Sequence, residues 1–229
     1  MADRPVALVT GAGRGIGRAT AHALSRDGYA VVVAELKPAL GRRTARELNG
    51  AVFLPTDVSR WPSVVRTVAA VRRRFGRLDC LVNNAGVIGV GPLTSLSVRT
   101  IERILAVNLR GPILCTRAAL PLLRRRGGVV VNVASQLGKL GMGEYVTYCA
   151  SKFGVVGFTE ALADELSGAD VRVWAVCPGQ VDTPMATQAG ATARDRASLI
   201  RPESVARVIT ALATGRRRDR SGAAIDVTS

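Results

Sequence analysis

The chain of 229 residues is long enough to bury a core without disulfide or metal staples, and short enough for one α/β domain. Its 48% hydrophobic and 21% charged residues exclude a disordered chain, a collagen and a disulfide scaffold. The net charge of +15 comes almost wholly from Arg, since Lys stands only at 37, 139 and 152; such a balance suits nucleic acid, an anionic membrane or an acidic substrate.

In chain order, Pro5 to Val9 reads as a buried strand and Gly15 to Asp27 as a helix closed by Gly28. Tyr29 to Ala34, Ala51 to Leu54 and Leu78 to Val82 read as strands, separated by helices over Pro38–Leu48 and Arg60–Phe75. A long helix is expected from Val98 past Asn108 towards Leu123, then a strand over Val129–Ala134. A Gly-rich loop leads into a helix over Tyr145–Leu166. A strand over Val171–Val176, a helix over Pro202–Ala213 and a short strand over Ala223–Val227 follow. Continuous apolar strands alternating with helices predict a doubly wound, Rossmann-type three-layer sandwich around a parallel seven-stranded sheet. No composition break divides it, so residues 1–229 are expected to form a single domain.

The basic runs Arg72-Arg73-Arg74, Arg124-Arg125-Arg126 and Arg216-Arg217-Arg218 are far apart in sequence, each near a helix end where cations complement the dipole. They are read as solvated ends, and with only 4% aromatic residues nucleic acid is not the expected partner. Cys80, Cys115, Cys149 and Cys177 show no CxxC spacing and no partner histidines, so no metal site is expected. They read as reduced thiols. The absence of a secretory leader and of a run near the roughly 18 apolar residues of a membrane span points to the cytoplasm.

The first strand is followed by Thr10-Gly11-Ala12-Gly13-Arg14-Gly15-Ile16-Gly17, opening a helix. Glycines let the backbone approach a pyrophosphate, which then meets the free N–H groups of the helix start. Glu35, at the end of the second strand, suits ribose hydroxyls and would repel a 2′-phosphate, which favours NAD. Arg14 pulls the other way and leaves NADP open, unless it pairs with Glu35. Asp57 either takes the adenine amino group or opens the next helix, with Ser59 as its cap. Asn83-Asn84-Ala85-Gly86 closes the fourth strand, on the ligand side of an open α/β sheet.

Tyr148 and Lys152, four apart on one helical face, form a second constellation. A fixed ammonium favours a phenolate, so the Tyr148 pKa is expected to fall towards neutrality and suit proton transfer. Ser135 ends the preceding strand, and Asn108 lies in the earlier helix.

The ordered set TGAGRGIG (10–17), DV (57–58), NNAG (83–86), VN (107–108), NVAS (132–135), YCASK (148–152) and CPGQVDTP (177–184) resembles the short-chain dehydrogenase/reductase family over almost the whole chain. The resemblance implies a tetrad. Tyr148 is the general acid/base, Ser135 polarises the substrate oxygen, Lys152 tunes Tyr148 and holds the nicotinamide ribose, and Asn108 holds a relay water. It implies an NAD(P)-dependent interconversion of a secondary alcohol and a ketone. The implied cofactor contacts are Gly11, Gly13, Arg14, Gly15, Ile16, Gly17, Glu35, Asp57, Val58, Asn84, Ala85, Gly86, Tyr148, Lys152, Pro178, Gly179, Val181 and Thr183. Gln136, Leu137, Met142, Gln180 and Met185 are the expected substrate wall, suited to a neutral carbonyl or alcohol.

The resemblance also implies a homotetramer or dimer built on the helices around Asn108 and Tyr148. Two departures stand out: the final Gly-Gly turn is missing, and the substrate lid, 183–201, is short and rich in Ala, Thr and Arg. A mobile lid is expected, with Arg194 and Arg196 able to meet an acidic group. The competing readings are a non-catalytic nicotinamide sensor and an Arg-rich nucleic-acid-associated protein.

Overall fold

The computed structural model describes residues 4–228, leaving the side chain of Arg196 outside the description. Strands β1 (Val6–Thr10), β2 (Ala30–Glu35), β3 (Val52–Pro55), β4 (Cys80–Asn83), β5 (Gly128–Val133), β6 (Val171–Pro178) and β7 (Ala224–Val227) form one sheet in the order β3-β2-β1-β4-β5-β6-β7. Every pairing is parallel. This is the doubly wound sheet expected from the apolar runs.

Helices α1 (Gly15–Arg26), α2 (Pro38–Arg46) and α8 (Pro202–Ala213) belong to one face. Helices α3 (Trp61–Phe75), α4 (Val98–Leu105), α5 (Gly111–Leu123) and α6 (Val146–Glu165) belong to the other. Side-chain alternation along the strands supplies the two cores. Ala7, Val9, Val31 and Val33 join Ala21, Leu24, Val205 and Ile209. Val6, Leu8, Val32 and Val130 join Val64, Val71, Leu123 and Leu162. Both sheet faces are thus covered, which is why β1, β2 and β4 are buried at every residue.

The expected long helix from Val98 is interrupted. A widened π turn, Ala106–Arg110, separates α4 from α5. Pro112 explains the break: it has no N–H to give the Asn108 carbonyl, and its ring crowds that carbonyl in a regular helix. A short helix α7 (Pro184–Gln188), which the sequence did not announce, lies inside the lid segment. The two ends of the segment 183–201 are held together, where Val181 bridges Ile200, Asp182 N donates to Ile200 O at 2.9 Å, and Ile200 N donates to Gln180 O at 2.9 Å. No helix among the described residues is long and apolar enough to cross a membrane.

Candidate active site

The Gly-rich loop between β1 and α1 is pressed against the loop after β4. Gly11 (φ +63°) leaves so little room that a Cβ there would stand 2.8 Å from the Ala85 Cα. A Cβ on Gly17 would strike the Gly11 carbonyl and the Asn84 amide. Asn84 fastens the two loops, its Nδ2 donating to Thr10 O at 2.9 Å and Gly11 O at 3.1 Å. The Thr10 hydroxyl accepts from Asn84 N at 3.0 Å and Ala85 N at 3.1 Å.

Helix α1 starts with no side-chain cap and no acidic residue in its first turn. Its first N–H groups are therefore available to an anion. The Glu35 carboxylate accepts from Gly13 N at 3.0 Å and from Lys37 N at 3.0 Å. Each oxygen keeps acceptor capacity for a further donor. A Cβ on Gly13 would lie 2.8 Å from Glu35 Oε2, so only glycine lets the loop reach this carboxylate. Arg14 is exposed, and Ile16 packs on the core. An uncapped helix start, a loop without side-chain bulk and a carboxylate at the end of β2 fit a dinucleotide cofactor: diphosphate at the first, ribose at the last.

Asp57 is engaged locally. Its Oδ1 accepts from Ser59 N at 3.0 Å and Ser59 Oγ at 2.6 Å, while its own N donates to Ser63 Oγ at 3.0 Å. Ser59 is not the helix cap. Arg60 holds that position without a side-chain bond. Val58 is buried, and a Cβ on Gly111 would stand 3.0 Å from its Cγ2.

At the chemical end, the Ser135 hydroxyl accepts from Leu137 N at 3.1 Å and lies close enough to the Tyr148 phenol to lower its pKa. Both Tyr148 and Lys152 are buried. Lys152 Nζ donates to Val133 O at 2.8 Å and lies 5.6 Å from the Tyr148 ring centroid. Burial pushes the phenol up to about 12, with the Ser135 hydroxyl pulling it partly back. Burial pushes the Lys152 ammonium down to about 8. The expected fall of the Tyr148 pKa is therefore reversed in the protein alone. The reason is geometric: the ammonium sits over the ring and on a carbonyl, and the same burial disfavours both charged forms.

Asn108 is fully buried in the π turn. Its Oδ1 accepts from Val87 N at 2.9 Å, and its Nδ2 donates to Val87 O at 2.9 Å and to Ser151 Oγ at 3.2 Å. Ser151 in turn donates to Tyr148 O at 2.7 Å. The side-chain amide is thus bonded within the protein, and Pro112 has no N–H to give the Asn108 main-chain carbonyl as a regular helix would.

The two ends meet at the root of the lid. A Cβ on Gly15 (φ +53°) would touch the Thr183 methyl at 3.0 Å. The Thr183 hydroxyl donates to Val181 O at 3.3 Å. Pro178 ends β6, and Gly179 N donates to Val227 O at 3.2 Å. A Cβ on Gly179 would lie 3.1 Å from Gln136 Oε1, so Gln136 belongs to this junction. Met185 lies near Gly86, whose added Cβ would stand 3.7 Å from Met185 Cε and 3.6 Å from Asn108 Oδ1. Leu137 is half-buried beside Ser135, whereas Met142, Gln180 and Arg194 stand exposed. The role expected of Arg196 falls on a side chain outside the described residues.

Several supporting residues escaped the sequence reading. Thr10 and Ser151 lie inside motifs whose flanking residues drew the attention. Their signal was position: Thr10 at the strand end, Ser151 three residues after Tyr148 on the same face. Lys139 pins the Ser135 turn to β7 through Ala224 O and the Asp226 carboxylate, each at 2.9 Å. Tyr145 reaches the lid, its OH donating to Ala189 O at 3.3 Å. Neither of these last two has a local sequence signature. Among the described residues, no group of His, Cys, Asp or Glu gathers as for a metal ion.

The short chain dehydrogenase family model matches residues 5–194. The L-fucose dehydrogenase of Bos taurus is 40% identical over 202 residues, covering 88% of this chain and 75% of that protein. A D-threitol dehydrogenase of Mycolicibacterium smegmatis is 39% identical over 192 residues, covering 82% and 74%. Among solved structures, a 3-ketoacyl-(acyl-carrier-protein) reductase from Brucella melitensis complexed with NADH superposes with a TM-score of 0.91 at 32% identity, covering 98% of this chain and 96% of that one. The chain therefore belongs to the short-chain dehydrogenase family and is a nicotinamide-dependent oxidoreductase acting on a CH–OH group.

Proposed function

We propose that the protein interconverts a secondary alcohol and a ketone, with Tyr148 as general acid/base and NAD as the preferred cofactor. The observation that carries this reading is the burial of Tyr148 with Lys152 Nζ 5.6 Å from its ring centroid and Ser135 at the same phenol. When bound, the nicotinamide supplies or accepts the hydride. Gly11, Gly13, Arg14, Gly15, Ile16 and Gly17 would hold its diphosphate, and Glu35 the adenosine ribose. Asp57, Val58, Asn84, Ala85 and Gly86 would line the adenine side. Pro178, Gly179, Val181 and Thr183 would hold the nicotinamide end.

The remaining work falls to this chain's own groups. Ser135 donates to the substrate oxygen and orients it. At neutral pH the Tyr148 hydroxyl, being un-ionised, is set to give its proton to that oxygen as a carbonyl is reduced. In the reverse direction Tyr148 must take the alcohol proton as phenolate, and the Lys152 charge close to its ring favours that form. Lys152 would also hold ribose hydroxyls of the bound cofactor. The Asn108 main-chain carbonyl holds the water through which Lys152 regains a proton. The bonds of the side-chain amide to Val87 and Ser151 support giving this duty to the main-chain carbonyl.

Glu35 supports NAD. Its carboxylate, fixed by two main-chain N–H groups, suits ribose hydroxyls and repels a 2′-phosphate, whereas Arg14 is not drawn towards it. Gln136, Leu137, Met142, Gln180 and Met185, with the lid 183–201 as a mobile cover, shape a site for a neutral, small to medium substrate; polyols and sugars are supported by the relatives. Apolar side chains exposed on the α4–α6 face, Val98 at 69% and Phe153 at 45% among them, support a homotetramer or dimer. Four free, buried cysteines are in keeping with the cytoplasm.

The test is a screen of secondary alcohols and ketones, polyols and sugars first, following nicotinamide absorbance with each cofactor. Turnover of at least one alcohol, faster with NAD than with NADP, is expected. Tight NADH binding without turnover of any member would instead mark a nicotinamide sensor, and a preference for NADPH would transfer the deciding role from Glu35 to Arg14.

A further inference from the structure

The arginine runs that lie far apart in sequence are brought together by the topology. In a sheet whose seven strands all run parallel, every return loop arrives at one edge, the amino edge, opposite the glycine loop and Tyr148. Helix α3 ends in Arg72-Arg73-Arg74 immediately before β4, and α5 ends just before Arg124-Arg125-Arg126 and β5. β4 and β5 are paired neighbours, Cys80 opposite Val129, with Val129 N donating to Asp79 O at 2.9 Å. α3 and α5 pack side by side. The two triplets are therefore the ends of adjacent, parallel helices. All six side chains are exposed, and among the described residues none of them forms an ion pair.

Some other arginines at this edge are neutralised. Arg77 pairs with Asp79, Arg217 with Asp219 and Arg216 with Asp27. Arg218 and Arg220, in the loop that enters β7 at the same edge, are exposed and form no ion pair among the described residues, so the six are the densest part of a longer basic edge. Helix-end complementarity accounts for one or two cations per end, since the effect dies within a turn. It does not account for three on each of two touching ends, whose mutual repulsion works against the folded state.

We propose that this edge is a docking surface for the phosphate backbone of double-stranded nucleic acid, bound without regard to sequence. Guanidinium groups suit phosphate because their forked donors match its oxygens. The seven-strand edge, at about 4.8 Å per strand, is roughly 29 Å long, or about nine base pairs of duplex. None of the large exposed apolar residues, from Leu36 to Phe153, stands in the loops that enter β4 or β5. A lipid surface would call for such apolar anchors, and a single strand for stacking platforms. Phe75, at the end of α3, is half-buried with the Arg74 guanidinium 5.7 Å from its ring centroid, so what this surface presents most fully is guanidinium groups, which position phosphates without reading bases.

The test is fluorescence anisotropy of a labelled 20-base-pair duplex of arbitrary sequence, titrated with the full chain from 0.05 to 0.2 M salt. Three triple variants are compared with the wild type: R72Q/R73Q/R74Q, R124Q/R125Q/R126Q, and R66Q/R99Q/R207Q, which removes the same charge elsewhere. Melting by circular dichroism and NADH binding report that each variant is folded. The wild type is expected to lose about a thousandfold in affinity across that range if all six groups meet phosphates. Each edge triplet should flatten the log–log slope by about 2 to 3, with the R66Q/R99Q/R207Q slope close to wild type. Equal losses in all three variants would reduce the effect to net charge and overturn the proposal. So would no duplex binding at 0.15 M salt, or capture by phosphatidylserine vesicles in preference to duplex.

Discussion

Lys152 carries the most consequential ionisation in the molecule. Its pKa falls from 10.5 to about 8 on burial. Between those values the folded chain holds fewer protons than the unfolded one, so stability rises as pH climbs through that window. Lys152→Met removes this cost while abolishing turnover. Its melting temperature should exceed wild type most clearly below pH 8, and the gap should narrow by pH 10.5. A gap independent of pH would show that Lys152 is not held against its charge. Ser151 matters for another reason: its hydroxyl joins Asn108 to the Tyr148 carbonyl. A displacement of the reacting group by an ångström costs up to about a hundredfold, so Ser151→Ala is expected to lower kcat by ~10-fold or more. The NADH Kd should stay within about twofold; a matching loss of cofactor affinity would indicate general loosening instead. The motif residues were legible from the sequence because their chemistry is carried by residue type. The pKa of Tyr148 was not, since four-residue spacing puts two groups on one face without saying whether the ammonium meets the phenol oxygen or the ring.

Among the elements, the break between α4 and α5 shows where periodicity misleads. The apolar pattern from Val98 to Leu123 continues through Asn108, and nothing in it marks a widened turn. Pro112 was the available signal: four residues after Asn108, it withholds the donor that the Asn108 carbonyl would receive. The turn follows from that withheld donor, and so does a test of the relay. Pro112→Ala restores the N–H and lets the helix close on the Asn108 carbonyl. It should raise or leave unchanged the melting temperature while lowering turnover by ~10-fold, with the largest loss where proton supply limits the rate. Unchanged kcat across pH would remove the carbonyl from the proton path. Strands were the most legible elements, because buried parallel strands read as plain apolar runs. Their ends were less so. β6 extends to Pro178, two residues beyond the apolar run, because β7 pairs with it as far as Pro178↔Val227, a partnership between distant segments.

The whole molecule carries its proposed site at the carboxyl edge of the sheet and two exposed arginine triplets on neighbouring helix ends at the amino edge. The first arrangement was readable from motif order, since Gly11, Asn84, Ser135 and Pro178 each follow a strand. The second was not, because sequence distance between basic runs says nothing of which helices become neighbours. On the side faces, Val98, Leu105, Ile113, Val146 and Phe153 leave apolar surface on α4–α6. Sedimentation at micromolar concentration is expected to show a dimer or tetramer, and Phe153→Glu to weaken it; a wild-type monomer would leave that surface without a partner in this chain.

The central claim is that Tyr148 moves the proton while separate groups hold the cofactor, and Tyr148→Phe isolates it. The measurement is single-turnover reduction of the best ketone by prebound NADH, wild type against variant. General acid/base catalysis contributes about a hundredfold to ten-thousandfold. The account predicts a loss of at least ~100-fold in the hydride-transfer rate with NADH affinity unchanged. A variant that reduces the ketone at near wild-type rate would contradict it and remove Tyr148 from the chemistry.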